Sequence, residues 1–272
     1  MAVKDPAPAT VHDYAHNVQV DASKLIPVTT FPVAASEPLD KTRHARFQVQ
    51  PQWHPGPLVH GKPTTVTLYA SQDLEASGLI PGLHDLINEA FAISHNRSGT
   101  MPAGALRLQS HQQLVLELSG PGTFTFVITY AGTNTILGVA SAKRYKSTAS
   151  RQPAQKDVPK SAFTRTGPSE PNTEGFELSS MAVSPSLQRQ GLAGLLMELV
   201  EAEVKRRFLI SRAETGPPDL GLIMLLTTVK EINHNFYSRR SYQADYETFH
   251  GPGFLGSENG FTIVHMSKKV AI

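Results

Sequence analysis

Phe176-Glu177-Leu178-Ser179-Ser180-Met181-Ala182-Val183, followed closely by Gln188-Arg189-Gln190-Gly191-Leu192-Ala193-Gly194, decides the fold of this chain. The first piece is apolar-rich and reads as a strand. Pro185 opens a short loop, Gly191 marks a turn, and Leu192, Leu195, Leu196, Leu199 and Val200 recur behind it at helical spacing. A helix that begins at such a turn leaves its first backbone N–H groups without partners, all pointing one way. The turn therefore suits a phosphate, and the helix N-terminus adds a favourable potential. A side chain at position 191 would obstruct the close approach of a pyrophosphate.

Outward from this unit, the regular part of the chain begins with Thr64 to Tyr69, which alternates like a strand. Leu83, Leu86, Ile87, Ala90 and Phe91 then keep helical spacing behind Pro81. Ser110 with Gln113 has the form of a capping box and opens a short helix that closes at Gly120. Phe124 to Tyr130 and Thr135 to Lys143 form a hairpin around Gly132-Thr133-Asn134. After the central unit comes Gly221 to Thr228, whose nearly unbroken apolar run reads as a strand buried on both faces. A short helix, Ile232 to Arg239, and two strands, Tyr242 to His250 and Phe261 to Lys269, complete the order. Lys205, Arg206 and Arg207 are expected in the last turns of the central helix, where cations complement the dipole.

Two stretches stand apart. Residues 1–62 carry repeated prolines, among them Pro6, Pro8, Pro27, Pro32, Pro51 and Pro55, which remove backbone donors and break helices. They read as a tail or irregular wrap, with Trp53 able to dock part of it, and residues 63–272 read as one domain. Within that domain, residues 145–173 form a low-hydrophobicity insertion with Lys146, Arg151, Lys156, Lys160 and Arg165, expected to be a mobile loop. Its charge either attracts a phosphate or an acidic acceptor, or simply keeps the loop solvated.

The composition narrows the function. A chain of 272 residues with 40% apolar residues can bury a core. It has no cysteine, which excludes disulfides, thiolate zinc sites and a cysteine nucleophile and suits an intracellular protein, cytoplasmic or nuclear. The formal charge of +2 gives no sign of nucleic-acid binding. No apolar run is long enough for a bilayer, and Met1 to Pro6 lacks a secretory apolar region. His234, His250 and His265 show no metal-ligand spacing, so no metal is expected.

The spacing Gln188-x-x-Gly191-x-Ala193 resembles the Arg/Gln-x-x-Gly-x-Gly/Ala signature of the GNAT superfamily of acyl-CoA-dependent N-acetyltransferases. Asn233 to Tyr242, with Phe236-Tyr237 followed by Ser241-Tyr242, resembles the family's late motif Phe-Tyr-x-x-x-Gly-Phe/Tyr. The order of elements over about residues 64–270 is similar as well. The resemblance implies an α/β (α+β) fold with a mixed, mostly antiparallel twisted sheet, flanked by helices and splayed around acyl-CoA. It implies that backbone amides of Gln188 to Gly194 hold the CoA pyrophosphate and that the main chain of Met181, Ala182 and Val183 pairs with the pantetheine arm. It implies Glu177 as general base, a backbone N–H near Val183 for the developing oxyanion, and Tyr237 as proton donor to the departing thiolate. Burial is expected to move the Glu177 carboxyl toward a useful range.

Each residue also has a plainer reading. The turn can be an ordinary strand-to-helix connection, Glu177 a solvent-facing strand residue, and Tyr237 a packing residue. Two departures stand out: Ser241 occupies the usual Gly position, and Lys230 stands where many members have Asn. The acceptor pocket is expected against the loop Asn96 to Gln109, which holds no acidic cluster. A small-molecule amine is the first reading and a protein lysine or N-terminus the second. A non-catalytic acyl-CoA-binding module is the alternative of another class.

Overall fold

Phe124 to Ile128 and Gly138 to Ser141 alternate between two buried faces, because layers of helices cover both sides of the sheet they build. The computed structural model describes residues 51–101, 104–145, 173–215 and 220–272. The elements run β1 (Gln52–Pro55), β2 (Thr64–Ala70), α1 (Ser71–Ala76), α2 (Ile80–Ser98), α3 (His111–Leu118), β3 (Phe124–Tyr130), β4 (Ile136–Tyr145), β5 (Thr173–Val183), α4 (Leu192–Thr215), β6 (Gly221–Val229), α5 (Lys230–Ser238), β7 (Gln243–His250) and β8 (Phe261–Lys269). They form one eight-stranded sheet in the order β1-β2-β3-β4-β5-β6-β8-β7. Every pairing is antiparallel except β5 with β6. This is the mixed, mostly antiparallel sheet flanked by helices that the sequence implied.

One face packs on α4. Leu196, Val200, Val204 and Phe208 recur every four residues and are fully buried against Phe124, Phe126, Ala142, Phe176 and Leu178. Truncating a buried ring such as Phe208 to Ala would cost about 3–5 kcal/mol. On the other face, Leu83, Leu86 and Ile87 of α2 and Leu114 and Leu118 of α3 cover Val127 and Val139. The cap expected for α3 is present. Ser110 Oγ accepts from Gln113 N at 3.1 Å, and Gln113 Oε1 accepts from Gln109 N at 2.8 Å, one residue earlier than a simple capping box.

Three details differ from the sequence reading. Helix α4 runs on to Thr215, so Lys205, Arg206 and Arg207 are not in its last turns. They instead pair with Glu201 and Glu203 one turn back, at 3.5, 2.6 and 2.6 Å. β1 lies inside the stretch read as a tail. It is held by backbone pairing to β2, while Trp53 is 71% exposed. Helix α1 carried too few apolar residues to show a period. The remaining tail residues, 1–50, and the insertion, 146–172, lie outside the described residues. No described helix is long and apolar enough to cross a membrane.

Candidate active site

The sheet divides at Glu177. β5 pairs in parallel with β6 from Thr173↔Gly221 to Glu177↔Leu225 and no further. Beyond that point β5 stays with β4 as far as Val183, and β6 stays with β8 as far as Val229. The two strands part, and among the described residues no strand pairs with the β5 edge beyond Glu177. Burial changes at the same place: Ser179, Ser180 and Met181 on one wall and Thr227 and Thr228 on the other are half-buried, in strands otherwise mostly buried. Main-chain groups inside a fold are normally paired. A fork of this kind suits an extended ligand with amide groups of its own. The open edge of β5 includes Met181, Ala182 and Val183, whose other edge meets Val139 and Gly138. The register shifts between Val139 and Ser141, where Ser180 takes φ 46°. This bulge turns the end of the strand.

The chain leaves the fork through Ser184, whose N–H donates to Leu137 O at 2.9 Å, and a single 3₁₀ turn, Pro185–Leu187. Arg189 (φ 67°) and Gly191 (φ 86°) are both left-handed. Gly191 O accepts the first bond of α4, from Leu195 N at 3.0 Å. A Cβ at Gly191 would meet no protein atom within 4 Å, so the space beside it is open. The Gln188 side chain accepts from Arg97 Nη1 at 3.3 Å, and that of Gln190 lies 3.0 Å from His60 Nε2. Leu192 is buried and Ala193 packs against the core. Gly194 faces the guanidinium of Arg240: a Cβ there would lie 3.0 Å from Nη2. Arg240 stacks on Phe236, 3.9 Å from the ring centroid, and donates from Nη1 to Phe236 O at 3.1 Å. Among the described residues no ion pair engages it. Arg97 and Arg240 were not singled out by sequence reasoning. The signal available for Arg240 was its place four residues after Phe236, one helical turn.

Glu177 and Tyr237 flank the fork from opposite faces. Phe176 and Leu178 share the α4-side core with Tyr237, so Glu177 between them points to the face of α2 and α3. There its Oε2 lies 3.3 Å from Lys143 Nζ, with 16% of its side chain exposed. Tyr237 is 7% exposed, and burial pushes its phenol well above the usual range, with nearby Arg240 opposing. Its hydroxyl therefore keeps its proton at any ordinary pH. Lys230 donates to Glu247 at 2.6 Å, which turns its charge toward β7. Ser241 takes φ 67°, a left-handed conformation that favours glycine.

The loop after α2 is stapled. Gly99 caps the helix in a left-handed conformation, the His95 Nδ1 and Thr100 Oγ1 atoms lie 2.6 Å apart, and Asn88 bonds both backbone groups of Leu108. Met101 packs with Val229, Phe261 and Ile263. Pro102 lies outside the described residues. His234 is within 3.4 Å of Ser238 Oγ, His250 stacks on Phe254, and His265 hydrogen-bonds with Thr227. Among the described residues, His84, Asp85 and His111 bring ligating atoms within 4.8 Å of one another. Asn88 Nδ2, fixed by Leu108, faces His84 Nε2 at 3.2 Å, and Asp85 Oδ1 faces His84 Nδ1 at 3.1 Å. With these partners Nε2 accepts and Nδ1 donates. A groove of about 250 Å³ between His54–Pro57 and Leu195–Leu199 holds none of the expected site residues.

No protein-family model and no curated protein matches the chain. Solved structures do. An N-acetyltransferase from Staphylococcus aureus Mu50 is 12% identical, with 76% of this chain and 98% of that one covered and a TM-score of 0.45. The ribosomal-protein-S18-alanine N-acetyltransferase from Escherichia coli is 14% identical, covering 77% and 95%, with a TM-score of 0.43. An acetyltransferase of the GNAT family from Streptococcus pneumoniae is 13% identical, covering 76% and 99%, with a TM-score of 0.41.

Proposed function

We infer that this chain, whose fold is that of the GNAT superfamily, transfers an acetyl group from acetyl-CoA to a primary amine of a small molecule. The observation that carries the reading is the parting of β5 and β6 at Glu177, with the left-handed turn Arg189 to Gly191 and the start of α4 directly behind it.

The residues fit the co-substrate. The open edge of Met181, Ala182 and Val183 offers main-chain partners to a pantetheine arm. The first turn of α4, from Gly191 through Leu192 and Ala193 to Gly194, offers N–H groups to a pyrophosphate, with Gln188, Arg189 and Gln190 leading into it. Arg240 adds a cation against the same turn. Bound acetyl-CoA supplies an activated acyl thioester.

Glu177 takes the proton from the acceptor ammonium on the α2 face, because a protonated amine has no lone pair with which to attack. Lys143 keeps the carboxylate in place beforehand. Tyr237 donates its proton at the leaving sulfur from the α4 face; its burial keeps the phenol protonated until then. Holding both reactants in one cleft supplies part of the acceleration. The test is a CoA-release assay over a panel of amines and peptides, with mass spectrometry of the products. Acetylated small amines are expected. Acetylation of peptides alone would move the acceptor to proteins, and CoA binding without release would make the chain a binding module.

A further inference from the structure

The sheet carries a line of polar side chains at one level on the face that bears α2 and α3. On one side of the fork, Thr125 of β3 is in register with Ser141 of β4, and Ser141 with Ser179 of β5. On the other side, Thr227 of β6 is in register with His265 of β8, and His265 with Tyr246 of β7. The last parallel pair is Glu177↔Leu225. Continued two residues on, that register brings Ser179 level with Thr227, so the line crosses the open fork.

The members away from the fork satisfy one another. The hydroxyls of Thr125 and Ser141 are 2.9 Å apart, Thr227 Oγ1 lies 2.9 Å from His265 Nδ1, and Tyr246 stacks on His265 with ring centroids 4.2 Å apart. Ser179 does not share in this. Its Oγ is shut off from solvent and has no hydrogen-bond partner among the described residues. A buried hydroxyl left this way is costly, and it calls for a partner. Thr227 Oγ1 also keeps accepting capacity. Whichever tautomer His265 adopts, one of the two oxygen lone pairs remains. Glu177 stands on the same face, one pleat before Ser179, where the fork closes.

We propose that Ser179, Thr227 and Glu177 form a three-pronged seat for the acceptor nitrogen. The inference rests on the acetyl-transfer reading and deepens it to a choice of substrate. A primary ammonium has three N–H donors. Two go to Ser179 Oγ and Thr227 Oγ1, and the third points at the Glu177 carboxylate. Removing that third proton breaks one N–H bond and forms one O–H bond on Glu177, while the two hydroxyls hold the nitrogen at the fork. A secondary ammonium has two N–H donors and a carbon in place of the third, so one prong is lost. The seat therefore selects primary over N-methylated amines.

The experiment uses matched acceptors: butylamine and N-methylbutylamine, benzylamine and N-methylbenzylamine, and a peptide with lysine or N-methyl-lysine. CoA release is followed for the wild type, Ser179→Ala, Ser179→Thr and Thr227→Val. The primary amines are also titrated calorimetrically into the protein–CoA complex, where no transfer occurs. Primary amines should be preferred by roughly tenfold or more. Ser179→Ala should weaken amine binding roughly tenfold and leave the KM for acetyl-CoA unchanged. Its melting temperature should not fall, since the hydroxyl it removes has no partner. Ser179→Thr should retain amine binding. Thr227→Val also loses a bond to His265 and should melt earlier, so Ser179→Ala decides. An active wild type that treats both members of each pair alike, or a Ser179→Ala protein with wild-type amine binding, overturns the seat alone. A wild type that acetylates nothing overturns the acetyl-transfer reading and the seat with it.

Discussion

Arg240 lies against Gly194, with Nη2 where a Cβ of residue 194 would come within 3.0 Å. A cation is thereby placed on the first turn of a helix, the end that already carries a partial positive charge. Phe236 fixes its plane and its carbonyl takes one N–H. Two positive groups held together, with no ion-paired carboxylate among the described residues, suit an anion.

Replacing Arg240 with Gln should therefore weaken CoA roughly tenfold, the scale of a hydrogen bond to a charged group. Pantetheine, which lacks the diphosphate, should bind both proteins equally. Gly194→Ala should act in the same direction by pushing the guanidinium away. Calorimetry with both ligands checks this, and equal loss for CoA and pantetheine would point to a folding defect instead.

Gly191→Glu places an anion in the open space beside the turn, at a φ of 86° that disfavours any side chain. CoA binding should fall sharply. Unchanged affinity in a titration would remove the pyrophosphate from this turn.

Ser241 at φ 67° carries strain that glycine would not. Ser241→Gly should stabilise the fold by about 1 kcal/mol, within the cost of a left-handed residue. For a domain of this size that raises Tm by about 2–4 °C. A lower melting temperature would show that the serine side chain contributes more than its backbone costs.

His95 is 4% exposed, and burial lowers its pKa from 6.5 to about 4. The unfolded chain takes up a proton as pH falls below about 6.5, and the folded chain does not until about 4. The contribution is thus present above pH 6.5 and is lost between 6.5 and 4. The loss should be about 3 kcal/mol. Urea unfolding at several pH values should show this slope in the wild type and a shallower one in His95→Gln.

Much of the fold was legible because its period was strong. The every-fourth-residue stripe of α4, the apolar run of β6 and the cap at Ser110 are local signals. β1 was not legible, since all four of its residues are exposed and only pairing with β2 makes it a strand. The length of α4 beyond Arg207 was hidden because Leu209 and Ile210, which follow Phe208, are exposed and blur the stripe. At the site, Glu177, Tyr237 and the glycine turn came from motif and order. Arg240 and the level of Ser179 with Thr227 did not, because both depend on which distant segments lie side by side.

The most direct measurement is turnover of the wild type, Glu177→Gln and Tyr237→Phe with acetyl-CoA and an accepted amine, from neutral to high pH. The account predicts losses of roughly 100- to 10,000-fold near neutral pH for each variant. CoA affinity should be unchanged, and Glu177→Gln should recover in part at high pH, where the amine is already neutral. Wild-type turnover in both variants, or no CoA release by the wild type with any amine, would contradict it.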